Sequence, residues 1–243
     1  MSKYPDFSAF LASRRTTRDF ASTPVDAKLI ESLINDGLTA PSWSNTRPFM
    51  IAVATGEQRD RISADMLSRW WVLAGARSGG LIQKIRFAFT PKAWPISDYD
   101  MLNAYPKELL PRSRRVGKEL YSLLGVARGD KKARDEHWAL NYKFFNAPTV
   151  LFVFIHKKLD VFAANDAGLF AENLMLSAHA QGLGTCAQGA VGLWRSAVRK
   201  EFKVPKGYKL VYGIAIGYAT DEKVNTFQAN RIAAQEVIIS SAE

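Results

Sequence analysis

Apolar residues follow two patterns along this chain: helical spacing of three to four positions and short continuous runs. Their interleaving predicts an α+β architecture. Phe7, Phe10, Leu11 and Arg14 have helical spacing behind Asp6, so a first helix is expected to be capped by Asp6 and to carry basic residues in its last turn. A second helix reads from about Asp26 to Asp36, with Leu29, Ile30, Leu33 and Ile34 on one face and Gly37 as its stop. Residues 41–48 read as a loop, and 49–54 as an apolar run suited to a buried strand. From Gly56 to about Leu140 the pattern is helical but broken by Gly79-Gly80 and by Pro91, Pro95, Pro106 and Pro111; regular spacing returns over 116–126 and 138–145. Residues 149–155, β-branched and aromatic and directly after Pro148, predict a central strand covered on both faces. A long helix from about Asn165 to Gln181 places Leu169, Phe170, Asn173, Leu174, Ser177 and Ala178 on one side and ends at Gly182; an inward Asn173 needs a partner. Residues 209–218 form a third strand, whose glycines imply close backbone approach. Val237-Ile238-Ile239 is apolar and isolated, and so short a strand requires another sheet edge. No repeat or low-complexity linker divides residues 1–243, which read as a single domain with an elaborated helical insertion at about 57–140.

Composition narrows the function classes. At 243 residues and 47% hydrophobic content the chain has enough apolar surface for a globular core. No run approaches the roughly 18 apolar residues that cross a bilayer, and the polar opening lacks the apolar region of a signal peptide, so a cytoplasmic protein with no membrane contact is expected. Cys186 is the only cysteine, which excludes an internal disulfide and a multi-cysteine metal site. His137, His156 and His179 have no metal-ligand spacing, and no metal is expected. The net charge of +10 calls for anionic partners, but the basic residues are spread along the chain without a nucleic-acid-binding signature. Phosphorylated cofactors or acidic aromatic substrates would exploit the same field.

Two short segments concentrate the candidate chemistry. Arg14-Arg15-Thr16-Thr17-Arg18 packs three guanidiniums and two hydroxyls together, which suits a phosphate, although five residues taken alone read better as a solvated basic face followed by a turn. Ala40-Pro41-Ser42-Trp43-Ser44-Asn45-Thr46-Arg47-Pro48 precedes the first strand. Further along, Gly182-Leu183-Gly184-Thr185-Cys186-Ala187 satisfies a loose dinucleotide fingerprint, but it follows a helix instead of a strand, so a helix stop and a flexible loop are expected there. Gln188-Gly189-Ala190 extends it with groups fit to contact a flat ligand. Cys186 lacks a setting that lowers a thiol pKa and reads as a buried apolar residue; His179 reads as a hydrogen-bonded core or interface residue. With no catalytic acid, base, nucleophile or metal in view, the chemistry falls to an organic cofactor.

These segments together resemble the FMN-dependent nitroreductase family: 14–20, Ala40-Pro41-Ser42 with Asn45 and Pro48, Phe144-Phe145-Asn146-Ala147-Pro148, 182–189, and Gly217-Tyr218 with Asn225 and Arg231. The stretch from Leu120 to Asp130 is similar to a subgroup with an extended middle segment. The resemblance implies a central, mostly antiparallel sheet flanked by helices, a homodimer with FMN at the interface, C-terminal strands exchanged between subunits, and NAD(P)H as co-substrate for reduction of nitroaromatics, quinones or related electron-poor aromatics. It further implies that Arg14, Arg15 and Thr16 bind the phosphate and ribityl end, with Arg231 closing from the C-terminal side, and that Arg18 lies beside the flavin ring. Pro41, Ser42 and Asn45 would come from the partner, while Gln188 and Gly189 would line the flavin. Reductive dehalogenation, desaturation, or FMN binding without turnover are the alternatives on such a scaffold. Arg47 stands where the family usually has glutamine, Phe49 where it has tryptophan, and Gln228 where the subgroup often has arginine.

Overall fold

Four strands, β1 (Phe49–Thr55), β2 (Thr149–His156), β3 (Gly184–Gln188) and β4 (Tyr208–Gly217), build one antiparallel sheet of order β1-β2-β4-β3 in the computed structural model, which describes residues 6–101 and 104–241. The apolar run after Pro148 is β2, and its residues from Thr149 to Ile155 are all buried because it lies between two partners with helices over both faces. Alternation along β2 divides the core: Leu151, Val153 and Ile155 face one layer, whereas Val150, Phe152 and Phe154 face the other.

The first layer is α2 (Ala27–Leu38) and α7 (Asp160–Ala180), which bring Ile30, Leu33, Phe170 and Leu174 onto the sheet. Asp26 caps α2 by accepting from the amides of Lys28 and Leu29. Gly37, expected as a stop, lies inside the helix, and Thr39 caps it instead. A Cβ at Gly37 would come within 2.6 Å of the Phe170 ring, so the glycine serves close packing of α2 on α7. The helix expected from Asn165 starts earlier, at Asp160; Gly182, at φ +74°, turns the chain after it as expected. Leu169, expected inside, is exposed, and the Asn173 amide reaches the Thr39 hydroxyl at 3.2 Å.

The opposite layer is led by α3 (Gly56–Ser78), with Ile62, Met66 and Trp70 fully buried against Tyr142, Phe152 and Trp194. The broken helical pattern of the middle resolves into α3, α4 (Leu81–Ala88), α5 (Leu110–Leu123) and α6 (Lys131–Ala139), with α8 (Arg195–Arg199) following β3. The regular structure expected over 138–145 is the end of α6 followed by turns, and Phe144, Phe145 and Asn146 all take positive φ.

Three further expectations are corrected. The first helix, α1 (Phe7–Ser13), stops before the arginines, Asp6 makes no side-chain cap, and 14–18 continues as extended chain. The flexible loop expected after Gly182 is instead the edge strand β3, because the backbone pairs with β4 over five residues. The run 49–54 is an edge strand, not a fully buried one: among the described residues β1 pairs only with β2, and Met50 is exposed. Val237, Ile238 and Ile239 form no strand within the chain, and Ile239 is 93% exposed.

Candidate functional site

Strand β3 is the seat on which the N-terminal basic segment is held. Thr16 bridges Thr185 in parallel, and the Thr17 amide donates to the Thr185 carbonyl at 2.9 Å. The absence of a side chain at Gly184 makes this approach possible, since a Cβ there would meet Thr17 Oγ1 at 2.3 Å. Thr17 is thereby buried, leaving Thr16 and Arg18 half-buried on either side of it and Arg15 exposed.

A second clamp comes from the C-terminal region. The Asn225 side-chain oxygen accepts from the amides of Arg18 at 2.7 Å and Asp19 at 3.2 Å, while its nitrogen donates to the carbonyls of Asp19 at 2.8 Å and Thr220 at 2.9 Å. Such a satisfied amide fixes two distant segments of backbone against each other. Beyond it, the Gln228 amide reaches the Ala12 carbonyl at 3.4 Å, so the chain approaching Arg231 returns to the residues just before Arg14. Arg231 itself donates to the carbonyl of Ala229 at 2.8 Å, and Arg14 stands 3.7 Å from Glu172 on α7. No direct contact joins Arg14 to Arg231 among the described residues.

Arg18 points from this clamp toward α6 and the sheet edge. Its guanidinium lies 5.8 Å from the centre of the Phe227 ring. Burial first, and the Arg18 charge second, hold His137 below the usual histidine range. Burial pushes the Cys186 thiol up to about 12, with Arg18 opposing the shift, so this cysteine is an inert core residue, as its sequence setting implies.

At the end of β3 the Gln188 side chain is buried; its nitrogen donates to the Asn141 carbonyl at 2.9 Å, and its oxygen has no protein partner. An unmatched buried acceptor beside a glycine is what a ligand donor would complete. Gly189 and Ala190 open onto a cavity of about 790 Å³, walled by Trp70 of α3, Tyr121 of α5, Trp138 of α6 and by Met101. Arg77, Lys131 and Arg134 also line it. Trp70 thus serves both as core and as cavity wall.

The Pro41–Pro48 loop lies elsewhere. Asp166, buried on α7, accepts from the Trp43 amide at 2.9 Å, and the Trp43 ring packs at a tilt of 34° on Phe162, centroids 4.4 Å apart. The Ser42 hydroxyl accepts from the Arg47 amide at 3.0 Å, and the Arg47 side chain binds the Leu38 carbonyl and the Asn45 side chain. Ser44, Asn45 and Arg47 all have positive φ, so the loop keeps its shape only while these bonds hold it. No hydrogen bond or ion pair links Pro41, Ser42 or Asn45 to 14–18 among the described residues. Asp166 was not singled out from sequence; the available signal was one carboxylate on the apolar stripe Ala163, Ala167, Phe170 and Leu174.

A basic, hydroxyl-bearing segment and an unmatched acceptor beside an aromatic cavity define a protein that binds a flat, phosphorylated organic cofactor on an α+β sheet. The nitroreductase family model matches residues 11–218, and the chain belongs to that family. It is 32% identical over 233 residues to a 4-nitrobenzoate reductase of Pseudomonas putida, covering 95% of this chain and 93% of that protein. It is 27% identical over 233 residues to a chloronitrobenzene nitroreductase of Comamonas testosteroni, covering 96% and 95%. Its fold superposes at TM-score 0.83, with 26% identity and coverage of 99% and 100%, on the FMN-dependent nitroreductase NfnB from Mycobacterium smegmatis in complex with NADPH. The donor set is suited to FMN: guanidinium and hydroxyl groups for a phosphate, a free amide oxygen and a bare glycine for a ring edge. Among the described residues no group of His, Cys, Asp and Glu is disposed to hold a metal, and no helix is long and apolar enough to cross a membrane.

Proposed function

We propose that the protein is an FMN-dependent oxidoreductase that uses NAD(P)H to reduce nitroaromatics and related electron-poor aromatics, and that it works as a homodimer. The observation that carries the reading is the anchoring of Thr16 on β3, a few residues from the unmatched Gln188 oxygen and the Gly189 opening. Arg14, Thr16 and Arg231, with Arg15 alongside, would hold the phosphate; Gln188 and Gly189 would hold a ring edge. Bound FMN supplies the two-electron relay between the nicotinamide and the aromatic acceptor. Arg18 provides a fixed cation where negative charge accumulates on reduction, and the apolar wall of Trp70 and Trp138 excludes water and orients a flat substrate.

Assembly follows from the same features. The β1 edge is unpaired among the described residues and carries exposed Met50, a surface that proteins normally cover. The exposed apolar residues 237–239 are suited to cover such an edge on a second copy. The rigid loop carrying Pro41, Ser42 and Asn45, held away from its own 14–18 segment, is suited to reach the partner's cofactor. The insertion at about 57–140 supplies the lid. Nitro reduction is favoured over dehalogenation, desaturation or passive FMN storage by relatives that are named as nitroaromatic reductases along nearly their whole length.

The test is NADPH or NADH oxidation by the FMN-loaded protein with a nitroaromatic acceptor, combined with product analysis. Acceptor-dependent oxidation and a hydroxylamine or amine product are expected. A bound flavin that neither nicotinamide reduces would contradict the enzymatic reading.

A further inference from the structure

The cavity beside Gly189 has a charge that its stacking function does not require. Arg77 on the last turn of α3, Lys131 on the first turn of α6 and Arg134 one turn further along α6 all line it. None of the three pairs with a carboxylate among the described residues, although the surface elsewhere is rich in ion pairs such as Arg61 with Glu201 and Lys200 with Asp65. Among the described residues Asp135 is the one carboxylate on the wall, and it accepts from the Ser78 hydroxyl at 3.2 Å. Arg77 lies 6.0 Å from the centre of the Trp70 ring, and the Arg134 Nε donates to its own helix at the Asp130 carbonyl, 3.3 Å away. Both guanidiniums are therefore oriented by the protein while retaining unused donors.

Three cations against the single carboxylate of Asp135 leave the aromatic cleft with a net positive charge, which would attract an anion into it. The lining is otherwise largely apolar: Trp70, Leu73, Trp138 and Leu193 accept a ring, and the forked donors of Arg77 and Arg134 match a planar carboxylate. We propose that this cavity selects aromatic acids: the ring of the substrate packs on the tryptophan wall, and its carboxylate pairs with Arg77 and Arg134, with Lys131 adding long-range attraction. The inference rests on the reading of this cavity as the substrate site. It separates nitrobenzoate-like substrates from neutral nitroarenes, both of which occur as substrates in the names of relatives.

Two arms test it on the FMN-loaded protein. In the first, calorimetric titration with benzoate and with neutral benzamide reads the anion preference without turnover. Benzoate should bind at least about tenfold more tightly than benzamide, and the double variant Arg77→Met/Arg134→Met should abolish that ratio while circular dichroism stays native. Equal binding of the two ligands, or binding of neither, would overturn the proposal. In the second arm, the ratio of kcat/KM for 4-nitrobenzoate over its methyl ester should fall at least about tenfold in the double variant. An unchanged ratio would overturn it, as would a loss confined to NADPH relative to NADH, which would assign the cations to the dinucleotide phosphate. Failure of the functional reading looks different: neither nitroarene would be reduced, while the benzoate titration would still report on the cations.

Discussion

The carboxylate of Asp166, inside α7, accepts a hydrogen bond from the backbone amide of Trp43 at 2.9 Å and so ties the Pro41–Pro48 loop to the helical layer of α2 and α7. A buried carboxylate is retained at such a position only if its oxygens are satisfied; the second oxygen accepts from Asn165 at 3.3 Å. Replacing Asp166 by Ala leaves the Trp43 amide without its partner and should cost about 1–2 kcal/mol. Asp166→Asn, which keeps one acceptor, should cost less. Urea unfolding of both variants checks the order, and FMN content checks whether the loop serves the cofactor.

Gly184 and Thr17 give a second prediction. With Thr17 Oγ1 only 2.3 Å from the position of a Cβ, Gly184→Ala must push the 14–18 segment off β3 or bend the strand. A destabilisation of about 1–3 kcal/mol is expected, together with weaker FMN retention. Unaltered stability and flavin content would mean that this contact does not position the basic segment.

Cys186 offers a prediction in the alkaline range. Its thiol is raised to about 12 in the folded chain from 9.0, so between those values the unfolded state ionises and the folded state does not. The unfolded state then binds fewer protons, and stability falls as pH rises. From pH 8 to pH 10 this one group contributes a loss of about 1.4 kcal/mol, and Cys186→Ala should lack that share of the decline in urea-derived stability. The native thiol should likewise resist alkylation at pH 8 and react once the protein is unfolded.

Arg18 is expected to tune the flavin electrostatically. If its contact favours reduced over oxidised flavin by about 1.4 kcal/mol, Arg18→Ala lowers the two-electron midpoint potential by roughly 30 mV. Spectroelectrochemical titration measures it, and an unchanged potential would remove the role assigned to this residue.

Much of this arrangement was legible in the residue pattern, and the failures have identifiable causes. The strand after Pro148 and the helix behind Asp26 carry local signals, β-branched runs and a side-chain cap, that tertiary structure did not need to override. The edge strand β3 was hidden because Gly184 and Ala187 have low intrinsic strand preference; pairing to β4 and the approach of Thr17, both long-range, make it a strand. Gly37 misled for the related reason that a glycine selected for helix packing reads the same as a helix stop. At the site, the basic segment and Gln188-Gly189 were visible as composition. The Asn225 clamp, the Asp166 tether and the assembly of Arg77 with Arg134 at one cavity join residues too far apart in sequence for spacing alone to reveal.

The central claim is that Arg14 and Arg231 grip the phosphate of a bound flavin mononucleotide, and fluorescence titration of the apoprotein with FMN, compared with riboflavin, tests it most directly. The account predicts that FMN binds far more tightly than riboflavin, by at least about tenfold, and that Arg14→Ala/Arg231→Ala erases the difference between the two ligands. Equal affinity of the native protein for both, or a double variant that still discriminates in full, would contradict it.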